Sequence, residues 1–398
     1  MANLKFSVHA GPHRRVNCPV SVFVKRSGTM QNILDLLDRA GNGEGNVSLA
    51  GSSGATACQV HGEEDGVRVS WIVDDLPVGE TANYELDSGR QAASGGGVEL
   101  SKAKDRIQVR IDGANFTNYC FGKDLVRPHL YPLIGPYGDG ITRPLIIEGE
   151  GDHHHHRSVW ISHGHVNGWN NWGEGEGHAW TRHQRFDALE SGPVYGRIVS
   201  VSNWEGADAW RGEHGSNVIC EERAVWTFYR TGSDVRIFDL DVTLTAPKID
   251  VLFGDTKEGG LASIRVAESM EVRSGEGGRI ENAIGGVNED ESWGKRAAWC
   301  HYTGPVNGNR VGVAIMDHPD SFRHPTYWHV RNYGLMTANP FGHSHFHADP
   351  KRRGNHVLPP GGSLEGRYRF YVHKGDASEG QITERYHDFA HPPSVEVG

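Results

Sequence analysis

The chain has 398 residues, a formal net charge of −10 at pH 7, and 53 glycines, 24 histidines and 11 tryptophans. The negative charge argues against nucleic acid or an anionic membrane surface as a partner, and no stretch approaches the ~20 apolar residues that a membrane helix needs. Five widely spaced cysteines without a CxxC pair indicate neither a disulfide framework nor a zinc ribbon. Because the first residues also lack the apolar run of a signal peptide, we expect a cytoplasmic protein.

The first hundred residues have the pattern of a small β module. Three stretches alternate between apolar and polar residues as half-buried strands do: 16–24, 66–73 and 81–86. Residues 32–39 are compatible with a turn or two of helix. Residues 88–97 have the glycine- and serine-rich composition of a linker. We therefore predict a small β-sandwich-like N-terminal module over 1–103 and a second domain over 104–398.

Beyond this boundary the predicted strands follow one another closely. Alternation is clear in six stretches: 106–111, 194–201, 224–229, 235–244, 310–316 and 364–373. We expect about a dozen strands or more, separated by glycine-rich turns, with little helix before residue 381. No fixed-period repeat is present, which argues against a propeller or a solenoid. The predicted fold class is all-β, with a large antiparallel sandwich of two sheets over 104–398.

A run of histidines between residues 152 and 165 is the feature that most suggests chemistry. It contains six histidines and begins at Asp152. Imidazole transfers protons near neutral pH and binds borderline metals such as zinc, copper or iron. If the run enters a strand, His153 and His155 point to one side and His154 and His156 to the other. A pair on one side can offer two nitrogens to one metal; the alternative for each histidine is a structural hydrogen bond.

A second polar cluster lies between residues 317 and 347. It contains the segment HPTYWH at 324–329 and the alternating histidines His343, His345 and His347. On an extended segment those three would face one way, which suits a metal site. A loop of solvated histidines would have the same sequence, so both interpretations remain open.

Two further elements are candidates for the same site. Glu222 stands beside Arg223 at the start of a predicted strand, where a carboxylate is either a general acid or base or one half of a surface ion pair. The glycine-rich loop 168–180 carries Trp169 and Trp172. Their rings can form a stacking platform for a sugar, or they can cover the end of the sandwich core.

Several separate motifs occur in the chain in a fixed order. They are YPLIGPYGDGITRP at 131–144, DHHHHR at 152–157, WISHG at 160–164 with VNG at 166–168, and HPTYWH at 324–329 through NPFG at 339–342. Over roughly residues 105–376 the chain resembles the DUF6807 family, which carries the label methane oxygenase (PmoA). That family is similar in turn to the β-supersandwich proteins that resemble galactose mutarotase, most of which act on carbohydrates.

The resemblance implies a β-supersandwich that acts on carbohydrate. The family motifs carry these positions over as site candidates: Asp152, His153, His155, His156, Arg157, His163, Asn167, His324, Tyr327, His329 and Asn339. Combined with the clusters above, the expected catalytic residues are His155, His156, Arg157, His163 and Glu222. The expected substrate-binding residues are Arg143, Asp152, Asn167, Trp169, Trp172, Tyr327, Trp328, His329 and Asn339. A divalent metal ion is expected at His153, His155, His163 and His324, with no nucleotide cofactor.

The leading functional hypothesis is a glycoside hydrolase or lyase with a histidine-rich cleft. An imidazole or Glu222 would move the proton, and Arg157 would neutralise a carboxylate or a developing oxyanion. A bound metal would polarise a hydroxyl or carbonyl group. One alternative is a carbohydrate-binding or sensing protein without catalysis, and a second is a soluble metal-dependent oxygenase. The sequence leaves the sugar, the linkage, the metal and the oligomeric state open.

Overall fold

The computed structural model describes residues 4–26, 47–52, 54–87, 96–145, 152–207 and 215–398. The helical turn considered at 32–39 and most of the linker expected at 88–97 lie outside these residues. Of the helices in the described part of the chain, none has the length and apolarity needed to cross a membrane.

Strands make up most of the ordered secondary structure. The first nine are β1 (Lys5–His9), β2 (Arg15–Lys25), β3 (Ser48–Gly51), β4 (Gly54–Glu63), β5 (Gly66–Leu76), β6 (Thr81–Asp87), β7 (Val98–Lys102), β8 (Arg106–Ile111) and β9 (Ala114–Cys120). The next eight are β10 (His129–Leu130), β11 (Val159–His163), β12 (Trp180–Glu190), β13 (Tyr195–Glu205), β14 (Val218–Tyr229), β15 (Val235–Thr245), β16 (Val251–Phe253) and β17 (Gly259–Arg265).

The remaining strands are β18 (Arg279–Asn282), β19 (Trp299–Val306), β20 (Asn309–Asp317), β21 (Tyr327–Val330), β22 (Leu335–Asn339), β23 (His356–Leu358), β24 (Ser363–Lys374) and β25 (Ser394–Val397). The α-helices within the described residues are α1 (Asn288–Ser292), α2 (His343–Phe346) and α3 (Ile382–Ala390). Two single turns of 3₁₀-helix occupy Glu268–Met270 and Val272–Ser274.

Sheet A contains the N-terminal strands and the last strand of the chain. Its seven strands run in the order β2-β5-β4-β3-β6-β1-β25, and β25 pairs antiparallel with β1 through Phe6 and Val397. The sheet has its own apolar core, in which the ring of Phe6 lies 5.4 Å from that of Trp71. Strand β7 instead pairs with β8 in the next sheet. The division of the chain near residue 103 stays a prediction. The last strand, β25, lies within the second predicted domain but belongs to sheet A.

Two eight-stranded sheets form the large sandwich. Sheet B has the order β21-β22-β17-β11-β10-β9-β8-β7, and sheet C has the order β12-β13-β14-β15-β24-β20-β19-β18. Their inner faces enclose one apolar core, where Phe238 and Phe370 stack at 4.6 Å and Phe116 contacts both Phe228 and Phe238 edge-on. The prediction of an all-β, antiparallel sandwich is confirmed.

Antiparallel register decides which side chains point away from this core on sheet B. Trp160 of β11 pairs with Ser263 of β17, Ser263 pairs with Thr337 of β22, and Thr337 pairs with His329 of β21. Paired residues project to the same side of a sheet, so these four side chains form a row across its outer face. Their sequence neighbours point inward, as Trp328 does.

Candidate functional site

The row across the outer face of sheet B is polar and closely packed. Trp160 Nε1 donates to Ser162 Oγ at 2.8 Å, and the hydroxyls of Ser263 and Thr337 are 2.6 Å apart. A Cβ at Gly260 would lie 1.5 Å from Thr337 Oγ1, so only glycine fits beside these hydroxyls. The strands thus supply a floor of hydroxyl groups between Trp160 at one end and His329 at the other.

Three rings continue as a stack from Trp160, at one end of this floor. Tyr333 stacks on His153 at 5.0 Å between centroids, His153 stacks on His156 at 4.8 Å, and His156 stacks on Trp160 at 5.4 Å. Tyr333 comes from the turn between β21 and β22, whereas the two histidines come from the segment before β11. The two histidine-rich clusters of the sequence therefore meet at one place.

The histidine run is a turn and not a strand, which changes which imidazoles share a side. The backbone N–H of His156 donates to the carbonyl of His153, and His153 has φ +52°. Positive φ interrupts an extended chain, so His153 and His156 stack while His155 meets His156 edge-on at 4.6 Å. The expectation of alternating sides for this run is therefore wrong.

A buried arginine fixes the protonation of His156. Arg265 Nη1 lies 3.1 Å from His156 Nδ1, and because guanidinium only donates, Nδ1 accepts and the proton is on Nε2. That Nε2 is buried without a hydrogen-bond partner. Burial, followed by the charges of His155 and Arg265, lowers the pKa of His156 well below its usual value. His156 is therefore a neutral N–H donor.

The Asp152–His153 pair has the opposite polarity. The carboxylate of Asp152 contacts His153 Nδ1 and also lies 3.5 Å from Arg273 Nη2. A carboxylate accepts, so Nδ1 carries the proton and Nε2 keeps its lone pair. Burial lowers the pKa of His153, against the influence of Asp152. His153 is therefore a half-exposed imidazole whose basic nitrogen, Nε2, is free.

Arg143 holds the backbone of this turn. Its Nη1 and Nη2 donate to the carbonyl oxygens of Asp152 and His153 at 2.6 and 2.7 Å. The side chain is buried, and burial followed by the nearby charge of Arg265 lowers its pKa to about 10. Arg143 was expected to bind substrate. It instead positions Asp152 and His153, the pair that contains the basic nitrogen, His153 Nε2.

A buried ion-pair triad anchors the other side of the turn. Arg127 Nη1 donates to Glu174 Oε1 at 2.7 Å, and Arg157 binds the same carboxylate through Nε at 3.0 Å and through Nη2. Burial is the largest influence on the pKa of Glu174 and acts to raise it, but the bonds and charges of both arginines lower it overall. The guanidinium of Arg157 is thus occupied by Glu174. This arrangement does not support the predicted catalytic role of Arg157.

His329 lies at the far end of the row. Trp293 Nε1 donates to His329 Nδ1 at 3.0 Å, and the residue is 1% exposed. Burial lowers its pKa to about 3, followed by the charges of Arg331, Lys257, His153 and His345. The influences of His153 and His345 come from both histidine-rich clusters of the sequence.

The tryptophans of loop 168–180 pack instead of forming a platform. Trp172 is buried, with its ring 5.4 Å from both His156 and Trp160. Trp169 packs against the sandwich core, and Trp328 is buried on the inner face, where its Nε1 donates to Ala297. The expectation that these rings bind substrate does not agree with the burial of Trp172 and Trp328, and Trp169 is partly buried by its packing.

Two predicted metal ligands lie away from the ring stack. His163 points into the core, where its Nε2 hydrogen-bonds the carbonyl of Gly254 at 2.8 Å and its ring lies 4.7 Å from Phe341. His324 Nδ1 lies 2.9 Å from Asp317 Oδ2. His153 and His155 therefore have neither residue beside them, and the four histidines do not surround one point as expected.

Within the part of the chain that the structure describes, no group of three or more His, Cys, Asp or Glu side chains has the arrangement of a metal site. The alternating histidines do not form an extended segment either. His343 begins α2, His345 lies within it, and His347 follows it, with its Nε2 2.8 Å from the hydroxyl of Tyr327. Binding of a metal ion to this protein stays a prediction.

Glu222 lies on the inner face of sheet C. It is 3% exposed, its Oε2 accepts from Trp204 Nε1 at 2.9 Å, and burial raises its pKa to about 7. Its strand neighbours Ala224 and Trp226 are core residues. The sequence predicted that Glu222 lies beside the histidine turn. That prediction is wrong, because the side chain enters the sandwich core.

Two asparagines brace loops around the site. Asn167 accepts from the backbone of Leu252 at 2.6 Å. Asn339 Nδ2 donates to the carbonyl oxygens of Thr256 and Lys257 at 2.9 and 3.0 Å. Asn339 thereby holds the loop that carries Lys257, whose charge acts to lower the pKa of His329. Both asparagines have structural partners where substrate contacts were expected.

Sequence reasoning missed the residues that set the tautomers. Arg265 ends β17 and Trp293 follows α1, and both are more than 30 residues from the histidines that they contact. Neither lies in a motif, and only sheet register and loop packing bring them into place. Tyr333 was detectable in part, because it follows the HPTYWH segment by four residues.

Comparison with known proteins identifies the family. Residues 106–387 match the family described as "Family of unknown function (DUF6807)". The chain belongs to the DUF6807 family. The match covers more than half of the chain, and it contains the histidine turn, Arg265, Trp293 and His329. No curated protein matches this DUF6807 chain.

Solved structures show similarity of fold at very low identity. An α-mannosidase and a glycosyl hydrolase family 38 protein, both from Enterococcus faecalis, align at 10% identity with TM-scores of 0.49 and 0.43. They cover 100% of this chain and 46% and 47% of the other, so this chain spans less than half of their length. A galactose mutarotase-like protein from Clostridium acetobutylicum aligns at 8% identity and TM-score 0.34, over 70% of this chain and 98% of that one.

Proposed function

We propose that this DUF6807 protein is a carbohydrate-active enzyme that cleaves or rearranges a carbon–oxygen bond by acid–base catalysis. The observation that carries the proposal is the Asp152–His153 pair, whose imidazole lies in the ring stack between Tyr333 and His156 and keeps the lone pair of Nε2. A neutral imidazole oriented by a carboxylate is the usual form of a histidine general base. His153 takes this role in place of the predicted His155.

The surrounding residues support the base in different ways. Arg143 fixes the backbone of Asp152 and His153 through two hydrogen bonds. Arg273 lies 3.5 Å from the Asp152 carboxylate and helps to orient it. The neutral N–H donor of His329 supplies a group that can polarise an oxygen of the substrate.

The charges at the site favour imidazole chemistry over the two-carboxylate mechanism of most glycoside hydrolases. That mechanism needs two carboxyl groups flanking the scissile bond. Here Asp152 is bound to His153 and Arg273, and Glu271 is bound by both Arg265 and Arg273. Neither carboxylate is free to act as a nucleophile or as an acid, so a lyase or isomerase reaction fits the geometry better than hydrolysis.

The test is an activity screen with product analysis. The purified protein is incubated with plain glycosides, oxidised (keto) glycosides and glycosides of uronic acids, and products are identified by NMR. We expect turnover of at least one class, lost in Asp152→Ala and His153→Ala. Binding of a sugar without product from any class would contradict the proposal and would favour the carbohydrate-binding alternative.

The metal and oxygenase alternatives need a separate measurement. Metal content is determined on the protein as purified, and activity is measured before and after chelation. A stoichiometric metal that is lost in His153→Ala, together with oxygen consumption, would favour the oxygenase. Activity that survives complete chelation would leave acid–base chemistry as the mechanism.

A further inference from the structure

Trp293 determines which nitrogen of His329 carries the proton. An indole nitrogen only donates, so the hydrogen bond of 3.0 Å from Trp293 Nε1 makes His329 Nδ1 the acceptor. At neutral pH the single proton must then be on Nε2. Within the described residues Nε2 forms no hydrogen bond, although the residue is almost fully buried. A donor is therefore fixed in place without an acceptor.

The charges around this donor favour a negatively charged acceptor. After burial, the strongest influences on the pKa of His329 are four cationic or imidazole neighbours, Arg331, Lys257, His153 and His345. Arg331 is paired with Glu289 at 2.9 Å, and Lys257 lies 3.7 Å from Glu258. The charges of these two cations act at His329 and favour an anionic acceptor for its N–H over a neutral one.

We infer that the Nε2–H of His329 receives the carboxylate of an acidic sugar, so that the substrate class is a glycoside of a uronic acid. This inference rests on the proposed function and names the substrate of the same site. Trp293 is a positioning residue, because it acts on the substrate only through His329. His153 adds to the charge influences on His329, and in this proposal its Nε2 acts on the carbon next to the bound carboxylate.

This placement defines a redox-neutral elimination. His153 Nε2 takes the proton from the carbon next to the carboxylate, and the electron pair of that C–H bond forms a C=C bond. The C–O bond to the leaving sugar breaks at the neighbouring carbon, and the leaving oxygen takes up a proton. The hydrogen bond from His329 stabilises the negative charge that builds on the carboxylate during proton removal. The products are an unsaturated uronate and a free hydroxyl, with no oxidant or cofactor consumed.

The tautomer can be read without knowing the substrate. Histidine nitrogen chemical shifts measured by NMR distinguish an Nε2–H from an Nδ1–H imidazole. We expect the Nε2–H form at His329 in the full chain, and a mixture of forms in Trp293→Phe. Addition of glucuronate should shift the His329 signals, whereas glucose, which differs by the carboxylate, should not. An Nδ1–H form in the wild-type protein, or equal responses to the two sugars, would overturn the inference.

Two substitutions at His329 test the donor itself. In His329→Gln the amide nitrogen occupies the place of Nε2, and in His329→Asn it occupies the place of Nδ1. We expect the Gln variant to bind glucuronate within about threefold of the wild type and the Asn variant to bind about 10-fold more weakly or worse. Equal loss in two variants that melt like the wild type contradicts the inference. If either variant fails to fold, the wild-type spectra decide.

Failure of the inference and failure of the enzyme proposal give different results. Turnover of neutral glycosides, with no response of His329 to glucuronate, overturns the uronate inference and keeps the enzyme. A response of His329 to glucuronate, with no product from any glycoside, supports the carboxylate site and contradicts catalysis. Formation of an unsaturated uronate, detected by the absorbance of its C=C bond, supports both.

Discussion

On the outer face of sheet B, several imidazoles lie together with charged or donor groups from other segments, whereas His163 and Glu222, inside the sandwich, each have a single hydrogen-bond partner. His156 contacts Arg265 and His329 contacts Trp293. Inside, His163 contacts a backbone carbonyl and Glu222 contacts the indole of Trp204. Both regions contain strongly shifted pKa values. On the outer face, burial lowers the pKa of His329 to about 3; inside, it lowers that of His163 to about 4 and raises that of Glu222 to about 7.

The comparison shows that a shifted pKa by itself reports burial. The outer face differs because its groups determine each other's protonation. Donors fix the lone pairs of His156 and His329, and an acceptor fixes the proton of His153. Two imidazole donors in the same cluster as an imidazole base are an arrangement that chemistry can use. An isolated buried carboxyl or imidazole has no second ionisable group beside it to exchange a proton with or to stabilise charge.

The largest expected effect is on turnover, from His153→Ala. Removal of a general base lowers kcat by about 10²–10⁴-fold, because the neighbouring His156 and His329 hold protons and cannot replace it. The matched control is His154→Ala, one residue along the same turn and outside the ring stack. Steady-state kinetics with the best substrate of the screen provide the measurement. Equal losses in the two variants would mean that the turn as a whole, and not the base, is needed.

The next effect is on stability, from Glu174→Ala. The substitution leaves the buried guanidinium of Arg127 without its carboxylate, at a cost of about 3–5 kcal/mol. The control is Glu176→Ala in the same loop, where the side chain is exposed. Urea denaturation measures both. A loss below about 1 kcal/mol for Glu174→Ala would show that the triad is not the anchor of the outer face.

Part of this architecture was readable from the sequence. Alternation identified the strands, because one face of each strand is buried and the pattern repeats every two residues. The same rule, applied along β11, puts His163 on the side of Val159 and Ile161, which are core residues. It likewise puts Glu222 with Ala224 and Trp226. The inward position of both residues was therefore available from the strand pattern.

The composition of the site was not readable in the same way. The turn at His153 depends on a positive φ. Because residues other than glycine rarely adopt positive φ, the sequence does not indicate it there. Arg265 and Trp293 meet their histidines through register and loop packing that no local pattern encodes. The sequence indicated which imidazoles to examine. The tertiary structure was needed to tell which of them donates and which accepts.

Glu222→Gln is expected to change the pH dependence of stability. Burial raises the pKa of Glu222 from 4.5 to about 7, so between these values the folded state holds a proton that the unfolded state has lost. Stability therefore falls as pH rises through this window, by roughly 2–3 kcal/mol, and the glutamine variant lacks this fall. Urea denaturation at pH 5 and pH 8 measures the difference. Glu221→Gln, on the adjacent residue that faces the other way, should behave like the wild type.

The smallest expected effect separates the two regions most directly. In His163→Gln the amide nitrogen can still donate to Gly254, so we expect a stability loss of about 1 kcal/mol and a kcat/KM within about threefold of the wild type. His163 carries one of the family motifs and was predicted to be catalytic, yet its ring faces Phe253 and Phe341 in the core. A well-folded His163→Gln protein with turnover reduced as far as in His153→Ala would return His163 to the catalytic group. It would also show that a residue on the inner face of sheet B contributes to catalysis.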